Sequence, residues 1–563
     1  MGASLSHVHH HVRVLLARAV LRILCLFSSP VRRLVNRLAV SPGIPISLPS
    51  HSYWINPASP IAKQGSGPND PIPDYADIVI IGSGITGTSI ARTILDHDAK
   101  ITGTKRPLKV VMLEARDACS GATGRNGGHI TPVLYQDYAQ LKKQHGAQIA
   151  AQIIRFRLSH LTELLHVATE EDLLNESQCR RTLSYDVYQD TNLYRYAKDL
   201  LHTYIQDLPN EGADFRIIED AEMLADLQLV PSVVGCLATS GGAIHPYRLV
   251  TGILTRLLRS YPSSFHIFTH TPCTNILAST SAHESLYTIC TPKGNIRARH
   301  VIHATNAWAS HLLPGMRTKI FPARAVMTAQ LPRPGLGKTK SDWRGMRSFV
   351  LYPSSSFGCF DYLTQQLPAP DEQTPAAYPP SSAELMLGGG FMKHNAYLTE
   401  IGNADDSDWN QKVADYLSDA MGDYFRVGEN DEREKVIAKW SGILAVSADE
   451  RPWVGRVPES ISLRGPVGKY RTDKFEPSPE TIDSPLDEGE GSISLAPPGE
   501  WIAAGYSGEG MVHAWMSGKA VAQMVLELDR DMEWFPDVFR ITQERYKEAN
   551  VEEMLMLAML ASM

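Results

Sequence analysis

The first residues that could do chemistry are three glycines with the spacing G-x-G-x-x-G, at Gly82, Gly84 and Gly87. Each has a separate task. The first permits a tight turn, the second lets the backbone approach a pyrophosphate, and the third lets a helix pack closely on a sheet. The free N–H groups at the start of that helix, around Ile85 and Thr86, would then hold phosphates. The spacing therefore predicts a dinucleotide site.

The surrounding residues have the order that such a site requires. An apolar, β-branched run over Asp77–Ile81 precedes the glycines, a helical pattern follows them, and a second strand-like run covers Lys109–Glu114. Glu114 ends that run, where a carboxylate could accept hydrogen bonds from a ribose. The gap exceeds the usual ~20 residues, and an insertion at Lys100–Leu108 accounts for the difference. We expect a Rossmann-type unit here.

A second glycine-rich stretch, GATGRNGGH, covers residues 121–129. Small residues let a backbone lie flat against a cofactor. The stretch resembles the D-amino-acid oxidase (DAO) type of FAD-dependent oxidoreductase, which includes glycine oxidase and sarcosine oxidase, and most of all its uncharacterised fungal members. In that family the loop passes the pyrophosphate and reaches the flavin ring. The resemblance implies FAD contacts at Ala115, Ser120, Thr123, Arg125, Asn126, Gly127, Gly128 and His129.

Further motifs follow in the order of the same family, so that the resemblance covers residues 75–530. Gly241–Arg248 resembles the segment that re-enters the FAD domain, Val301–Trp308 a second cofactor-side strand, Asp449–Gly455 the motif D-x-x-P-x-x-G, and Ala504–Met511 the last flavin-contacting loop. The resemblance implies further FAD contacts at Ala304, Asn306, Ala307, Gly505, Ser507, Gly508, Gly510 and Met511.

The last loop predicts how the cofactor is tuned. Its glycines precede a helix expected to start near Met511, and a helix start carries partial positive charge and free N–H donors. Such a start would stabilise the negative charge of a reduced flavin. Glu509 stands where many relatives carry histidine. Because its carboxylate would oppose that charge, we expect it to point away.

The resemblance implies a reaction. A small amine or amino acid would lose hydride from its α-carbon to flavin N5, water would hydrolyse the resulting imine, and O2 would reoxidise the flavin. Two alternatives stay open: an amine dehydrogenase that passes electrons to a quinone or protein partner, and a non-catalytic flavin-binding trafficking or assembly factor. FAD is expected to be bound without a covalent link, because no cysteine follows Cys359. His129 keeps attachment through a histidine open.

Substrate contacts are predicted at three catalytic candidates, His129, Arg324 and Tyr352. His129 ends the loop that should reach the ring and could hydrogen-bond the flavin or the substrate amine. An arginine fork matches a carboxylate; besides Arg324, the candidates for that role are Arg451 and Arg125, the latter assigned rather to the cofactor.

Tyrosines are the other substrate-side candidates. Tyr352 and Tyr362 fall in strand-like segments of the probable substrate sheet and could line an aromatic pocket. The identity of the substrate, the electron acceptor and the oligomeric state do not follow from these residues.

Composition excludes several classes of function. The net charge is −7 and the pI about 6.3, so nucleic acid is not an expected partner, because phosphate binding needs a basic surface. The seven cysteines contain no C-x-x-C pair, which indicates neither a metal site nor a disulfide framework. We expect no metal and a reducing compartment.

The amino terminus differs from the rest because no acidic residue precedes Asp70. An arginine-rich amphipathic start is typical of a mitochondrial presequence or of a segment on an anionic membrane; otherwise the protein is expected in the cytoplasm. Met1–Ser6 also fits the myristoylation pattern. We expect the leader to be dispensable for catalysis and residues 39–74 to be a linker. The arginines are Arg13, Arg18, Arg22, Arg32, Arg33 and Arg37.

Strands and helices alternate along the chain, which predicts an α/β class: a Rossmann-type FAD-binding domain interleaved with an α+β substrate domain on a mixed sheet. Helices are expected over Tyr138–Thr169, Asn192–Asp207, Tyr247–Arg259, Asp408–Phe425 and Met511–Leu528, and mobile loops over Gln365–Ser382 and Gly465–Gly491. The expected domains are 1–74 (leader and linker), 75–135, 240–312 and 435–530 (FAD-binding), 136–239 and 313–434 (substrate), and 531–563 (helical tail).

Overall fold

The run Tyr75–Ile81 forms a central strand because its side chains from Ala76 onward are buried on both faces, as the middle of a parallel sheet requires. The strand pairs in parallel with Val110–Leu113 on one side and with Gly294–His303 on the other. The computed structural model describes residues 17–101, 106–279, 286–338, 342–368, 381–426, 435–464, 494–552 and 554–556.

This first sheet, sheet A, has eight strands, five of which run parallel in the order β17-β10-β1-β2-β7. It is the Rossmann-type unit that the glycine motif predicted. The strands of sheet A are β1 (Tyr75–Ile81), β2 (Val110–Leu113), β7 (Phe265–Phe268), β8 (Asn275–Ala278), β9 (Tyr287–Thr291), β10 (Gly294–His303), β16 (Trp453–Arg456) and β17 (Gly499–Ala504).

The second sheet, sheet B, has nine strands, and its main path runs β15-β11-β14-β13-β12-β4-β6-β3. It is mixed, because β12 and β4 are parallel while the other pairs are antiparallel. The predicted α/β class with a second, mixed sheet is confirmed. The strands of sheet B are β3 (His129–Ile130), β4 (Arg180–Tyr188), β5 (Arg216–Ile218), β6 (Gly235–Ala243), β11 (Ile320–Leu331), β12 (Arg347–Tyr352), β13 (Asp361–Gln365), β14 (Leu385–Gly389) and β15 (Lys435–Ser447).

The helices lie close to their predicted positions, with two breaks. The single helix expected over Tyr138–Thr169 is two helices, because Gly146 has φ +84° and ends the first. The helix expected over Asp408–Phe425 is also divided. The helices are α1 (17–27), α2 (Ser29–Ala39), α3 (Ile85–Asp98), α4 (Tyr135–His145), α5 (Ala147–Glu170), α6 (Leu174–Ser177), α7 (Thr191–Asp207), α8 (Ala221–Asp226), α9 (Pro246–Ser260), α10 (Ala309–Leu312), α11 (Tyr397–Glu400), α12 (Gln411–Asp419), α13 (Met421–Tyr424), α14 (Glu459–Ser462), α15 (Ala514–Val525) and α16 (Gln543–Glu548).

The sheets divide the chain differently from the expected boundaries. β15 was expected in the FAD-binding part, but it lies in sheet B, paired antiparallel with β11 along nearly its whole length. The short strand β3, at His129, also belongs to sheet B, where it pairs with β6. The glycine-rich loop therefore leaves sheet A and ends in sheet B. Most of Gln365–Ser382 and Gly465–Gly491, expected as mobile loops, lies outside the described residues.

The carboxyl-terminal segment is not the simple helical tail that was expected. α16 has six residues, and its Arg545 is buried against the 449–455 motif. The guanidinium donates to both oxygens of Asp449, at 2.8 and 3.0 Å, and lies 3.8 Å from the ring centre of Trp453. The segment thus holds the motif in place.

The amino-terminal helices pack on the protein itself. Leu34 and Leu38 of α2 are buried, and Arg37 donates to the carbonyl oxygens of Leu398 and Ile401. The amphipathic pattern therefore serves, at least over α2, an internal contact. None of the helices in the described ranges is long and apolar enough to span a bilayer. The myristoylation pattern and Arg13 lie outside the described residues.

The expectation that residues 39–74 are a linker is wrong for residues 50–55. Trp54 is buried and its Nε1 donates to the carbonyl of Asn126. Ser52 Oγ donates to the carbonyl of Gly124 at 2.7 Å, and the Ser50 carbonyl accepts from Arg125 at 2.7 Å. This segment has no periodicity because it packs as irregular backbone. It supports the glycine-rich loop directly.

We predict that Trp54→Ala lowers the free energy of unfolding by about 3–5 kcal/mol, the usual cost of deleting a buried aromatic side chain. The control is Leu48→Ala, since Leu48 lies two residues before this segment but is 82% exposed. It should change stability by less than about 0.5 kcal/mol. Thermal unfolding of the purified variants measures both. Equal midpoints would show that the segment does not support the core.

Candidate active site

The glycine turn has the predicted geometry. Gly82 adopts φ +109°, and a Cβ at Gly87 would overlap the carbonyl oxygen of Gly82. α3 begins at Ile85, directly after the turn. The turn joins the end of β1 to the start of α3 with no room for a side chain at Gly82 or Gly87, as close approach of a phosphate requires.

Glu114 lies beside this turn at the end of β2. Its carboxylate accepts hydrogen bonds from the backbone and the hydroxyl of Ser83, at 3.1 and 2.7 Å, and from Arg116 N at 3.0 Å. Ser83 is a site residue that the sequence analysis missed. Its position between two glycines was the available signal.

The glycine-rich loop meets the helix start. Thr123 Oγ1 accepts from Ile85 N at 3.0 Å, and Cys119 N donates to Ser83 Oγ at 2.9 Å. Ser120 Oγ is buried without a hydrogen-bond partner in the described part of the chain. The structure therefore brings together the glycine turn, Glu114 and the loop, which were separate motifs in the sequence.

Four consecutive carbonyl groups of this loop accept hydrogen bonds from side chains of other segments. Buried irregular backbone must find such partners, because it has no helix or sheet to satisfy it. The donors are Ser52 Oγ to Gly124, Trp440 Nε1 to Arg125, Trp54 Nε1 to Asn126 and Thr364 Oγ1 to Gly127.

The side chain of Arg125, expected to serve the cofactor, is engaged with the protein itself. It is buried and donates to the carbonyl oxygens of Ser120, Ser441 and Ser50 at 2.7–2.8 Å. Asp406 lies 3.6 Å from its Nε. Burial lowers the pKa of Arg125 to about 10. Its guanidinium links the loop to β15 and to the amino-terminal segment.

Beyond Arg125 the loop lies against sheet B. A Cβ at Gly127 would overlap the ring of Tyr362, and Gly128 adopts φ +65°. Asn126 Oδ1 accepts from Gly128 N at 2.8 Å, which closes this bend. The imidazole of His129 is stacked on the Tyr362 ring, with 6.3 Å between ring centres and 10° between planes. The predicted candidates His129 and Tyr362 are therefore neighbours.

His129 has the properties of a ligand-facing group. Its Nε2 is buried and has no hydrogen-bond partner among the described residues. Burial lowers the pKa of His129 to about 4, so the imidazole is neutral near pH 7. A neutral imidazole offers one donor and one acceptor. His129 can hydrogen-bond a bound molecule, but as a neutral imidazole it cannot act as a general acid.

The last loop is tied to the end of β10 and to β15. Asn306 Oδ1 accepts from Gly505 N at 3.2 Å, and Ser507 Oγ accepts from Ser447 N at 3.1 Å. The loop continues into a single 3₁₀ turn, Gly510–Val512, and α15 begins only at Ala514. Ala304, Ala307, Gly508 and Met511 lie along the same two segments.

Glu509 faces a buried arginine. Its Oε2 lies 3.6 Å from Nε of Arg157, which also pairs with Asp137 at 2.7 Å. The pKa of Glu509 is raised to about 7, because burial outweighs the attraction of Arg157. The negative charge that the sequence placed in this loop is thus offset by a cation that the sequence analysis did not identify.

Two arginines predicted for a substrate carboxylate are engaged elsewhere. Arg324 pairs with Glu400 at 2.6 Å, which satisfies the fork that a substrate would use. Its NH1 donates to two backbone carbonyls at 3.1 Å. Arg451 pairs with Asp449 at 2.8 Å. Arg324 is thus engaged within the protein, and its assignment as a catalytic residue stays a prediction; an isolated strand arginine cannot be distinguished by sequence from a salt-bridged one.

Tyr352 lies farther along sheet B than His129. Its ring is stacked on Tyr188 at 4.9 Å, and its hydroxyl lies 3.5 Å from Gln136 Nε2. Asp186, which the sequence analysis missed, belongs to the same group of side chains. The alternation of residues in β4, which puts Asp186 and Tyr188 on one face, was the signal that could have found it.

The residues of the glycine turn and of the glycine-rich loop fit FAD, the expected cofactor. The glycine turn excludes side chains where a pyrophosphate would lie, and Glu114 stands beside it. Two buried polar atoms along the loop that leads to sheet B, Ser120 Oγ and His129 Nε2, have no hydrogen-bond partner among the described residues. The arrangement fits an elongated dinucleotide that starts at the turn and ends beside His129.

The fold is shared with solved structures of amino-acid-converting enzymes. L-Amino acid deaminase from Proteus myxofaciens has a TM-score of 0.57 at 15% identity and covers 89% of this chain and 99% of its own. Glycine oxidase from Geobacillus kaustophilus has a TM-score of 0.54 at 15% identity and covers 84% and 99%. At such identities the similarity shows the fold alone.

Curated relatives are found among the subunits of anaerobic glycerol-3-phosphate dehydrogenase. The protein from Haemophilus influenzae is 22% identical over 264 residues, which cover 45% of this chain and 40% of that protein. Its counterpart from Escherichia coli matches in the same way, with 44% and 41% covered. The chain thus spans less than half the length of the curated relatives it matches.

The family itself is shown by a match that includes the glycine turn, the loop, both sheets and the last flavin-side loop. The model of the family described as "FAD dependent oxidoreductase" (DAO) matches residues 77–524. The chain belongs to the DAO family of FAD-dependent oxidoreductases.

Proposed function

We propose that this FAD-dependent oxidoreductase oxidises a C–N bond of a small amine or amino acid and that O2 reoxidises its flavin. The observation that carries the proposal is the course of the loop over residues 121–129. It leaves the dinucleotide turn on sheet A and crosses the face of sheet B, where His129 is stacked on Tyr362. A ring held by this loop would lie between the two sheets, beside His129 and Tyr362.

The proposal assigns the cofactor to residues already located in the structure. The pyrophosphate would lie at the glycine turn and the start of α3, and a ribose would lie at Glu114. The ring end would lie along the loop and beside the 3₁₀ turn that starts at Gly510. Arg125 contributes only through its backbone in this arrangement, since its side chain is engaged with Ser50 and Ser441.

When bound, FAD accepts a hydride equivalent from the substrate carbon. The protein's own contribution is to exclude water and orient the substrate. The pKa of His129 is near 4, so its imidazole stays neutral. It can therefore hydrogen-bond a neutral amine, and it carries no charge that would repel a protonated one. N–H groups of the Gly510–Val512 turn supply partial positive charge where reduction adds negative charge.

A glycerol phosphate is the competing substrate class, because the curated relatives belong to glycerol-3-phosphate dehydrogenases. A phosphate group calls for arginine or lysine forks. Arg125 of the loop and Arg157 beside the last loop are engaged in internal contacts, Arg125 with carbonyl groups and Arg157 with Asp137 and Glu509. These contacts favour an amine over a phosphate ester.

The direct test is to mix the purified, FAD-loaded protein with a panel of amines, amino acids and glycerol 3-phosphate without oxygen, and to follow bleaching of the flavin. We expect bleaching by at least one amine, and hydrogen peroxide once air is admitted. Bleaching by the phosphate ester alone would overturn the proposal. Bleaching without oxygen consumption would identify a dehydrogenase. If no compound in the panel bleaches the flavin, the non-catalytic adaptor is favoured.

We predict that Gly84→Val abolishes FAD binding. A Cβ at Gly84 would lie 3.0 Å from Thr123 Oγ1, and a larger side chain would fill the approach to the turn. The flavin-to-protein ratio of the purified variant is the measurement. Gly358→Ala, whose Cβ would lie 3.6 Å from Ser356 Oγ, is the control and should retain FAD. Stoichiometric flavin in Gly84→Val would move the pyrophosphate elsewhere.

We also predict that FAD is held without a covalent bond. Cys119, the cysteine nearest to the loop in sequence, is fully buried, and burial raises the pKa of its thiol well above the usual value. Acid precipitation should therefore leave free flavin in the supernatant and a colourless pellet. A yellow pellet that turns colourless in His129→Ala would instead identify attachment at His129.

A further inference from the structure

One row of side chains crosses five strands of sheet B and faces the loop that carries Gly127. The strand registers pair Met327 with Gly388, Gly388 with Tyr362, Tyr362 with Val350, and Val350 with Asp186. Directly paired residues point to the same face of a sheet. The row therefore runs from Tyr362, beside the loop, to a carboxylate two strands away.

Asp186 is surrounded by protein atoms, and the residue keeps a partly accessible surface. Its Oδ2 accepts hydrogen bonds from Tyr135 at 2.5 Å and Gln136 at 2.9 Å. Its Oδ1 accepts none from the described residues, and no lysine or arginine among them pairs with it. A buried carboxylate without a cation is costly, which points to a partner that the chain does not supply.

The walls around this carboxylate are aromatic. Tyr188 and Tyr352 lie on the same face, one step along the strands, and their rings are stacked at 4.9 Å. Tyr135 contacts both Asp186 and Tyr188 through its hydroxyl. The faces of tyrosine rings attract cations. A carboxylate within such walls is suited to an ammonium group and unsuited to a carboxylate or phosphate.

From these contacts we infer that Asp186, with Tyr188 and Tyr352, binds a cationic ammonium group of the substrate. This inference rests on the proposed function and narrows it to amines without a carboxylate. The substrate would be held by the positive charge of one amino group at Asp186, and the C–N bond to be oxidised would belong to a second, uncharged amino group lying nearer to Tyr362 and His129. The engagement of Arg125 and Arg324 in internal contacts agrees with this.

Ligand binding tests the inference without turnover. The probe is tert-butylammonium, which has no hydrogen on the carbon next to nitrogen and so cannot be oxidised there. Its uncharged and anionic counterparts are tert-butanol and pivalate. Each is titrated into the FAD-loaded protein while the flavin absorbance and intrinsic fluorescence are followed. We expect tert-butylammonium to bind best. Preference for pivalate, or equal binding of all three, would overturn the inference.

Asp186→Asn is the matched variant, because the amide keeps the size of the side chain and an acceptor for Tyr135. Losing one member of a buried charge pair should weaken tert-butylammonium binding about thirtyfold or more. Asp361→Asn is the control. It removes a buried carboxylate from the opposite face of the sheet, where Tyr416 and Tyr424 hold it, and should leave binding unchanged. Equal loss in both variants would contradict a role specific to Asp186.

The pH dependence gives a second, independent readout. Burial raises the pKa of Asp186 to about 7. The titratable groups around it are Tyr135 of α4, Tyr188 of β4, Tyr352 of β12 and Cys236 of β6, and burial raises the pKa of each above its usual range. These groups stay neutral near pH 7, so Asp186 alone changes charge there.

Affinity for tert-butylammonium, which remains protonated in this range, should therefore rise as the pH goes from about 6 to about 8. The Asp186→Asn variant should show no such rise. A pH-independent affinity in the unmodified protein would overturn the role of the carboxylate. If the cation binds as expected but no amine bleaches the flavin, the inference on Asp186 stands and the proposed oxidation fails. If amines bleach the flavin but the cation is not preferred, the proposed oxidation stands and the inference on Asp186 fails.

Discussion

The structure depends on the burial of one irregular segment, the glycine-rich loop between sheet A and sheet B. Loops normally lie at the surface, because a buried one leaves its backbone polar groups without water. Here four successive carbonyl groups are each satisfied by a side chain, and the four side chains come from three separate segments of the chain. In the sequence, Thr364 and Trp440 lie hundreds of residues after Ser52 and Trp54. The loop can therefore take this path only when the whole fold is assembled.

This constraint explains two features that look unrelated. The amino-terminal segment must be present, since it supplies Ser52 and Trp54 and accepts from Arg125 through Ser50. The buried guanidinium of Arg125 must also be neutralised, and Asp406 from beyond sheet B lies 3.6 Å away. Losing any one of these partners would leave a buried polar group unsatisfied, at a cost of about 1–3 kcal/mol.

The fold and the cofactor side of the site could be predicted wherever the residues that determine them are close together in the sequence. The glycines of the turn and Glu114 act through backbone shape and strand position, which a short sequence window contains. The roles of Arg125 and Arg324 could not, because an arginine in a loop or strand has the same local pattern whether it meets a ligand or a distant carbonyl. Asp186 was missed for a different reason: the alternation in β4 puts it on one face with Tyr188, but the absence of a neighbouring cation among the described residues is visible only once the strands are paired.

Three carboxylates, those of Asp137, Glu450 and Glu509, lie around the buried guanidinium of Arg157. Arg157 is held by Asp137 and Glu509, and the pKa of Glu450 is raised by burial and by nearby carboxylates that include Asp137. Asp186 is a further buried carboxylate, and no lysine or arginine among the described residues pairs with it, while His129 remains neutral near pH 7. On the proposed function, one amino group of the substrate would be bound as a cation at Asp186, while the neutral His129 would hydrogen-bond the uncharged nitrogen whose neighbouring carbon gives up the hydride. The strand registers, which pair Asp186 with Val350 and Val350 with Tyr362, would keep the charged anchor two strands away from the neutral reaction centre.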